Sequence, residues 1–165
     1  MAHHFEFKQI GVIRTPYTDS APYQPVVNDE GEFRIVLQRE YAQGLADLET
    51  FRYIYVLYFV DRLTRTTVMI EHPAWTPDTN VGLFASRSPV RPNPLGLSVV
   101  QLKKIVGKSI FTSGLDVFDN TPLLDIKPYI KDLDSKNDAN YGWIEKLAGN
   151  KQHLLLHIMG IPHGY

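Results

Sequence analysis

Eight consecutive residues, Tyr53-Ile54-Tyr55-Val56-Leu57-Tyr58-Phe59-Val60, are all β-branched, aromatic or aliphatic, the side-chain types that fit a pleated, packed surface best. The run predicts a central β-strand buried on both faces. No other apolar run is as long, and glycine or proline closes most of them, with little sustained helical periodicity. Short, punctuated strands of this kind predict an all-β domain, a compact antiparallel barrel or a sandwich. Further strands are expected at Phe5–Ile13, Phe33–Leu37, Val68–Ile70, Val81–Phe84, Leu97–Val106, Ile110–Phe118 and Leu124–Tyr129, separated by Gly82, Gly96, Gly107 and Gly114. Asn28-Asp29-Glu30-Gly31 is a turn signal ahead of the Phe33 strand. Glu40–Leu48 reads as a short helix or turn, and Asp138–Leu147 as the best helix, so one or two short helices lie near the C-terminal end. His153–Met159 fits a last strand or a packed tail. The 165 residues are expected to form one domain over 1–165, with 150–165 as its tail.

Composition removes several classes. Apolar residues make up 44% and charged residues 21% of the chain, and no apolar run approaches the ~20 residues that span a bilayer, so a soluble, non-membrane protein is expected. Cysteine is absent, which excludes a disulfide framework, a thiolate nucleophile and a zinc ribbon. Without a signal peptide's apolar core at the N-terminus, a cytoplasmic location follows as the default. A net charge of −1 excludes a dedicated nucleic-acid coat and leaves RNA contact to a local patch. Arg87, Arg91, Lys103, Lys104 and Lys108 are the candidates, with a solvated charged face as the alternative. No G-x-G-x-x-G follows a strand, and neither a P-loop lysine nor H-E-x-x-H occurs. Ser86 and Ser88 lack the glycines of a nucleophile elbow. His153, His157 and His163 invite a metal hypothesis, but their spacing fits no ligand set and no metal is expected.

The unusual segment is Ser86-Arg87-Ser88-Pro89-Val90-Arg91-Pro92-Asn93-Pro94-Leu95-Gly96. Its three prolines fix φ and cannot donate to a ladder, so it should be a rigid, extended loop between two strands. Arg87 and Arg91 offer forked donors for a carboxylate or phosphate, and Asn93 can both donate and accept, as an adenine edge or a ribose requires. A purely structural loop, with its arginines capping strand ends, fits the same residues. Asp119-Asn120-Thr121-Pro122 is a tight turn whose side-chain oxygens suit a ribose or an amine. Asp125, Lys127 and Tyr129 share one face of a period-two strand, as a site or as an ion pair at the strand's end. Asp61-Arg62 ends the aromatic strand, where Asp61 is either a rim base or half of a surface salt bridge. Pro22-Tyr23-Gln24-Pro25 is a further candidate segment.

The run Gly82-Leu83-Phe84-Ala85-Ser86-Arg87-Ser88-Pro89-Val90-Arg91-Pro92-Asn93-Pro94-Leu95-Gly96-Leu97-Ser98 resembles the signature of the β-barrel tRNA methyltransferase family, which methylates N6-threonylcarbamoyladenosine beside the anticodon. Ile10–Tyr17, Gly44–Phe51, Asp119–Pro122 and Asp125–Tyr129 extend the likeness from Phe5 to about Trp143. The resemblance implies a barrel that binds S-adenosylmethionine and acts on tRNA, as a homodimer with the site near the subunit contact. It places the cofactor on Pro22, Tyr23, Gln24, Asp61, Arg62, Arg87, Leu97, Asp119, Asn120, Thr121 and Pro122. Three positions depart from the family pattern: Tyr23 stands for arginine, Asp61-Arg62 for a His-Gln type pair, and Asn120 for glycine. Longer members carry an additional C-terminal domain.

Methyl transfer from a sulfonium is an in-line displacement that asks mainly for alignment and exclusion of water. A carbamoylated adenine nitrogen is a poor nucleophile and needs its proton removed. Asp125 or Asp61 is expected as the base, with Tyr129 and Asn93 orienting the acceptor. The same barrel methylating another RNA or a small molecule, or a non-catalytic module that binds the cofactor, are the alternatives.

Overall fold

The computed structural model describes residues 4–22, 31–73 and 78–146. Eight strands occur in it: β1 (Gly11–Arg14), β2 (Arg34–Leu37), β3 (Tyr53–Phe59), β4 (Ile70–Glu71), β5 (Val81–Gly82), β6 (Leu95–Val106), β7 (Ser109–Thr112) and β8 (Thr121–Pro128). Helical structure is short, with 3-10 turns at Arg39–Leu45, Leu48–Thr50, Leu83–Ala85 and Gly142–Lys146 and one α-turn at Lys131–Asp134. Six strands pair antiparallel in the order β1-β2-β7-β6-β3-β8, and β8 pairs back onto β1. The sheet therefore closes on itself, and each of the six has two hydrogen-bonded neighbours rather than an open edge. β4 and β5 form a separate two-stranded ribbon ahead of the proline-rich loop.

Alternation along each strand sends one set of side chains inside. Ile13, Ile35, Ile54, Val56, Val100, Ile110 and Leu123 fill the interior with Phe33, and Leu115 and Val117 enter from the segment after β7. Each such burial contributes about 1.5–3 kcal/mol relative to exposure. The interior is single, which corrects the expectation for the aromatic run. β3 buries Ile54, Val56 and Tyr58, whereas Tyr53 and Phe59 point outward at 43% and 39% exposure. On the neighbouring strand β6, Leu95 opposite Phe59, Leu97 opposite Leu57 and Val99 opposite Tyr55 also point outward, leaving an apolar stripe on the outer surface.

Other boundaries shift for local reasons. Phe5 and Phe7 are exposed, and the first strand starts only at Gly11, where both Leu37 and Leu123 become available as partners. The strand expected over Ile110–Phe118 stops at Thr112, because Ser113 exchanges hydrogen bonds with Gln101 and turns the chain inward. The helix expected over Asp138–Leu147 shrinks to Gly142–Lys146, since Gly142 adopts φ +57° and breaks any right-handed path through it. β6 and β7 meet at a tight turn in which Gly107 takes φ +58°, a conformation glycine adopts without steric cost. His153–Met159, the tail 150–165 and its three histidines lie outside the described residues. No described helix is long and apolar enough to cross a membrane.

Candidate functional site

β1 and β3 finish at the same end of the closed sheet at which β6 and β8 begin, as the pairs Ile13↔Thr121, Phe59↔Leu95 and Tyr58↔Leu123 establish. Residues 113–120 link β7 to β8 and cross that end, with Leu115 and Val117 packed into the core. Arg62, Arg87, Leu97 and Asp119–Pro122 thereby come to this end of the sheet from four separate segments, in two groups, Arg62 against Asp119 and Arg87 against Leu97.

One half of this end is a clamp. Arg14 Nε lies 2.8 Å from Asp119 Oδ1, which also accepts from the Thr15 amide at 3.1 Å. Arg14 Nη1 donates to Asn120 Oδ1 at 3.0 Å. Arg62 donates to the Thr18 carbonyl at 3.1 Å and to the Asp119 carbonyl at 2.7 Å, and its guanidinium sits 5.2 Å from the Phe118 ring centre. Thr121 Oγ1 donates to the Phe118 carbonyl, and Pro122 faces Val12 in the ladder. Asn120 has φ +67°, in the left-handed region that asparagine tolerates far better than most residues. Its replacement of the glycine usual in the family pattern therefore keeps the turn and adds a contact to Arg14.

The other half is open. Arg87 is exposed and donates through Nη2 to the Leu97 carbonyl at 3.2 Å. Beside Leu97, Ser98 is buried and shares a 3.2 Å hydrogen bond with the Tyr58 hydroxyl. The Tyr58 ring lies across Gly96: a β-carbon there would stand 1.9 Å from ring atom Cε2. Burial, then the charge of Asp116, pushes the Tyr58 hydroxyl up to about 12. The Asp116 carboxyl is itself raised, mainly by desolvation, while its own backbone amide, the Arg87 charge and the Ser98 hydroxyl pull it back. Its Oδ1 is buried with no hydrogen-bond partner among the described residues.

The two arginines of the proline-rich segment are held differently. Arg91 Nη1 donates to the carbonyls of Leu83, Ser86 and Ser88, at 3.3, 3.0 and 3.4 Å, and its guanidinium lies 5.6 Å from the centre of the Phe84 ring. Ser88 Oγ donates to Glu71 Oε1 at 2.9 Å. Trp143 Nε1 donates to the Ala85 carbonyl at 2.9 Å, tying the last turn to this loop. Arg91 thus builds the loop that presents Arg87. Asn93 is exposed, and its carbonyl accepts from the Leu95 amide.

The remaining candidates are placed elsewhere or differently. Asp125 pairs with Lys127 at 2.7 Å on the outer face, and its Oδ1 accepts from the Ile126 amide. That is the ion-pair arrangement considered for these two residues. Asp125 stands opposite Leu57, two rungs along β8 from Lys127, which stands opposite Tyr55. Tyr129 lies farther along, its ring 5.5 Å from Tyr55 and 6.4 Å from Tyr53. Asp61 is exposed and forms no ion pair with Arg62 or Arg65 among the described residues. Pro22 is half-buried, whereas Tyr23 and Gln24 lie outside the described residues. The supposed basic patch separates, since the twelve-residue β6 strand puts Lys103, Lys104 and Lys108 at the end away from Arg87. No group of three or more potential metal ligands occurs among the described residues.

Tyr58, Ser98 and Asp116 were not singled out from sequence. Tyr58 is one aromatic in an apolar run and Ser98 a lone serine in a strand. A lone carboxylate in Gly114-Leu115-Asp116-Val117-Phe118 was the available signal.

Residues 12–135 match the family model described as the tRNA-methyltransferase O N-terminal domain. A probable S-adenosyl-L-methionine-binding protein of Archaeoglobus fulgidus is 40% identical over 143 residues, covering 86% of this chain and 38% of that protein. The tRNA (adenine(37)-N6)-methyltransferase of Escherichia coli is 35% identical over 153 residues, covering 86% of this chain and 64% of that one. In structure, TrmO from Pseudomonas aeruginosa superposes with a TM-score of 0.70 at 28% identity, over 86% of this chain and 63% of its own. The chain thus spans between about two fifths and two thirds of the length of these relatives.

Proposed function

The chain belongs to the family of the tRNA-methyltransferase O N-terminal domain, and from that premise we propose that it is an S-adenosylmethionine-dependent methyltransferase acting on tRNA. The observation that carries the cofactor assignment is the setting of Arg87: an exposed guanidinium that donates to the Leu97 carbonyl, one residue along β6 from the buried Tyr58-Ser98 pair, at the end of the sheet where the Asp119–Pro122 turn also lies. This donor set suits an amphipathic adenosyl ligand that carries a carboxylate, an amine and ribose hydroxyls. Arg87 would take the carboxylate, and the Leu97 backbone and the Asp119–Pro122 turn would line the adenosyl part, with Arg62 holding that turn in place. Pro22, Tyr23 and Gln24 are assigned to the same site by family resemblance.

When bound, the cofactor supplies a methyl group on a sulfonium. The protein's share is alignment and exclusion of water. We assign the acceptor as N6-threonylcarbamoyladenosine in tRNA, whose nitrogen must lose its proton. Asp61, exposed beyond the end of β3, or Asp125, beside the outer stripe, is the base, with Asn93 and Tyr129 orienting the acceptor. A homodimer closed over Leu95, Leu97, Val99 and Phe59 would cover apolar surface that is otherwise in water and bring one subunit's outer face to its partner's site. We place the reaction in the cytoplasm. Labelled cofactor and tRNA transcripts with and without the threonylcarbamoyl group provide the test, with label expected only on the modified transcript. Label on both transcripts would point to another acceptor. Cofactor binding without transfer to either would favour a non-catalytic binding module, a reading consistent with the description of the Archaeoglobus relative.

A further inference from the structure

We propose that Phe84 is a substrate-binding residue, its exposed ring stacking an unpaired base of the tRNA beside the cofactor site; the inference rests on the tRNA methyltransferase reading above. At 78% exposure, Phe84 is the most exposed of the large apolar residues described. A lone apolar side chain on a surface is ordinary. Phe84 is set apart by its neighbours, by how its backbone is held and by the charge behind its ring. β4 pairs Ile70 with Gly82, and the Leu83 amide donates to the Met69 carbonyl at 2.9 Å. Val68, Met69 and Ile70, all exposed, therefore lie beside the short turn that carries Phe84.

That turn is fixed from several sides. Ser86 Oγ donates to the Leu83 carbonyl at 2.8 Å, Arg91 Nη1 to the carbonyls of Leu83 and Ser86, and Trp143 Nε1 to that of Ala85. The chain itself thus orders the backbone under an aromatic ring that stands in water, and a preordered surface loses least freedom on binding. The Arg91 guanidinium covers one side of the ring, 5.6 Å from its centre, and the other side is presented to solvent. Among the described residues neither Arg87 nor Arg91 has a carboxylate within ion-pair distance, and Glu71, which meets this loop, bonds Ser88. On a chain of net charge −1, contact with a polyanion depends on a local surface of this kind. Proteins read unpaired RNA by stacking splayed bases on aromatic rings and guanidinium planes, and an enzyme that modifies a base nitrogen takes that base out of its stack. Phe84 precedes Arg87 by three residues, so their Cα atoms are no more than about 11 Å apart. The ring and the residue assigned to the cofactor's carboxylate can therefore serve one site.

Single-turnover methylation of the threonylcarbamoyl-bearing transcript, at saturating S-adenosylmethionine and rising concentrations of the full chain, reads tRNA affinity from the half-saturation point. Phe84→Ala is expected to raise that point about tenfold or more, the scale of one lost base stack. Its Tm and its calorimetric affinity for S-adenosylmethionine should match wild type. Phe84→Tyr keeps a stacking ring and should restore the wild-type half-saturation point, whereas Phe84→Leu, apolar but without a ring, should behave as Phe84→Ala does. An unmoved half-saturation point in F84A, or a wild-type one in F84L, overturns the stacking role. A parallel loss of cofactor affinity in F84A would put the ring on the cofactor, and a changed sedimentation coefficient would put it between copies of the chain; either overturns the assignment to tRNA. A wild-type chain that binds the cofactor and labels no tRNA overturns the tRNA reading and this inference with it, whereas wild-type labelling with an unmoved F84A overturns this inference alone.

Discussion

The Asp119 turn and the Arg87 loop stand at the same end of the closed sheet and spend the same residue types in opposite ways. At the turn, Arg14 and Arg62 direct their donors to Asp119, Asn120 and the Thr18 carbonyl, and Thr121 caps Phe118. At the loop, Arg87 makes one bond, to a backbone carbonyl, among the described residues, and Asp116 Oδ1 has no hydrogen-bond partner among them. Both regions match the family signature, so motif membership does not distinguish them. What distinguishes them is how much of each arginine the chain itself engages: Arg14 is held by an ion pair to Asp119 and a bond to Asn120, and Arg62 by two backbone carbonyls, whereas the exposed Arg87 has most of its donors free to meet a ligand. Arg91 and Arg87, four residues apart on one loop, repeat the contrast at smaller scale.

Four substitutions would break or sharpen that contrast. Gly96→Ala should have the largest effect, because the new β-carbon overlaps the buried Tyr58 ring and the ring must leave its place against Ser98. A loss of about 3 kcal/mol in urea unfolding is expected, at the upper end of overpacking costs. A wild-type midpoint would show that Tyr58 does not rest there. Arg87→Ala should weaken S-adenosylmethionine binding by about tenfold to thirtyfold, as loss of a charged hydrogen bond does. Its Tm should stay near wild type, since Arg87 holds little of the fold. Arg62→Ala should show the reverse, losing about 1 kcal/mol of stability with two hydrogen bonds to backbone carbonyls and only a few-fold of affinity. Equal profiles for the two arginine variants, measured side by side by calorimetry and thermal unfolding, would erase the distinction. Asp125→Asn should be the mildest for stability, under about 0.5 kcal/mol, because its ion pair with Lys127 is largely solvated. Single-turnover methylation then decides its chemistry: a base would lose about a hundredfold or more in rate, and a surface ion pair nothing.

Much of the architecture was legible from residues alone. The strands at β2, β3, β6 and β8, the short helical turns after β2 and the mostly-sheet character follow from β-branched and aromatic runs cut by glycine and proline. The proline-rich loop and the tight Asp119 turn were equally visible, because proline and the turn residues act locally. The family signature marked Arg87, Leu97, Arg62 and Asp119–Pro122 as one set, and the fold gathers them at one end. The choice between site and scaffold was not legible, since it depends on which carbonyls an arginine can reach. Arg91 looked as suitable for a ligand as Arg87 until three carbonyls were found around its Nη1. Tyr58 and Ser98 gave no signal, because only the β3–β6 register sets Tyr58 opposite Gly96 and within reach of Ser98. Asp125 and Lys127 were correctly placed on one face, and the fold turned that face outward.

The sequence by itself determined where the chain extends, where it turns, and which segments carry ligand-grade side chains, because these follow from φ restrictions, β-branching and side-chain chemistry read residue by residue. Only the tertiary structure decided that six strands close on one another, which side of β3 is inside, and that Tyr58 lies across Gly96 and meets Ser98. Those outcomes depend on pairings between residues such as Ile13 and Thr121, more than a hundred positions apart. Whether a polar group is satisfied or left over is a property of such a pairing, and no residue carries it alone.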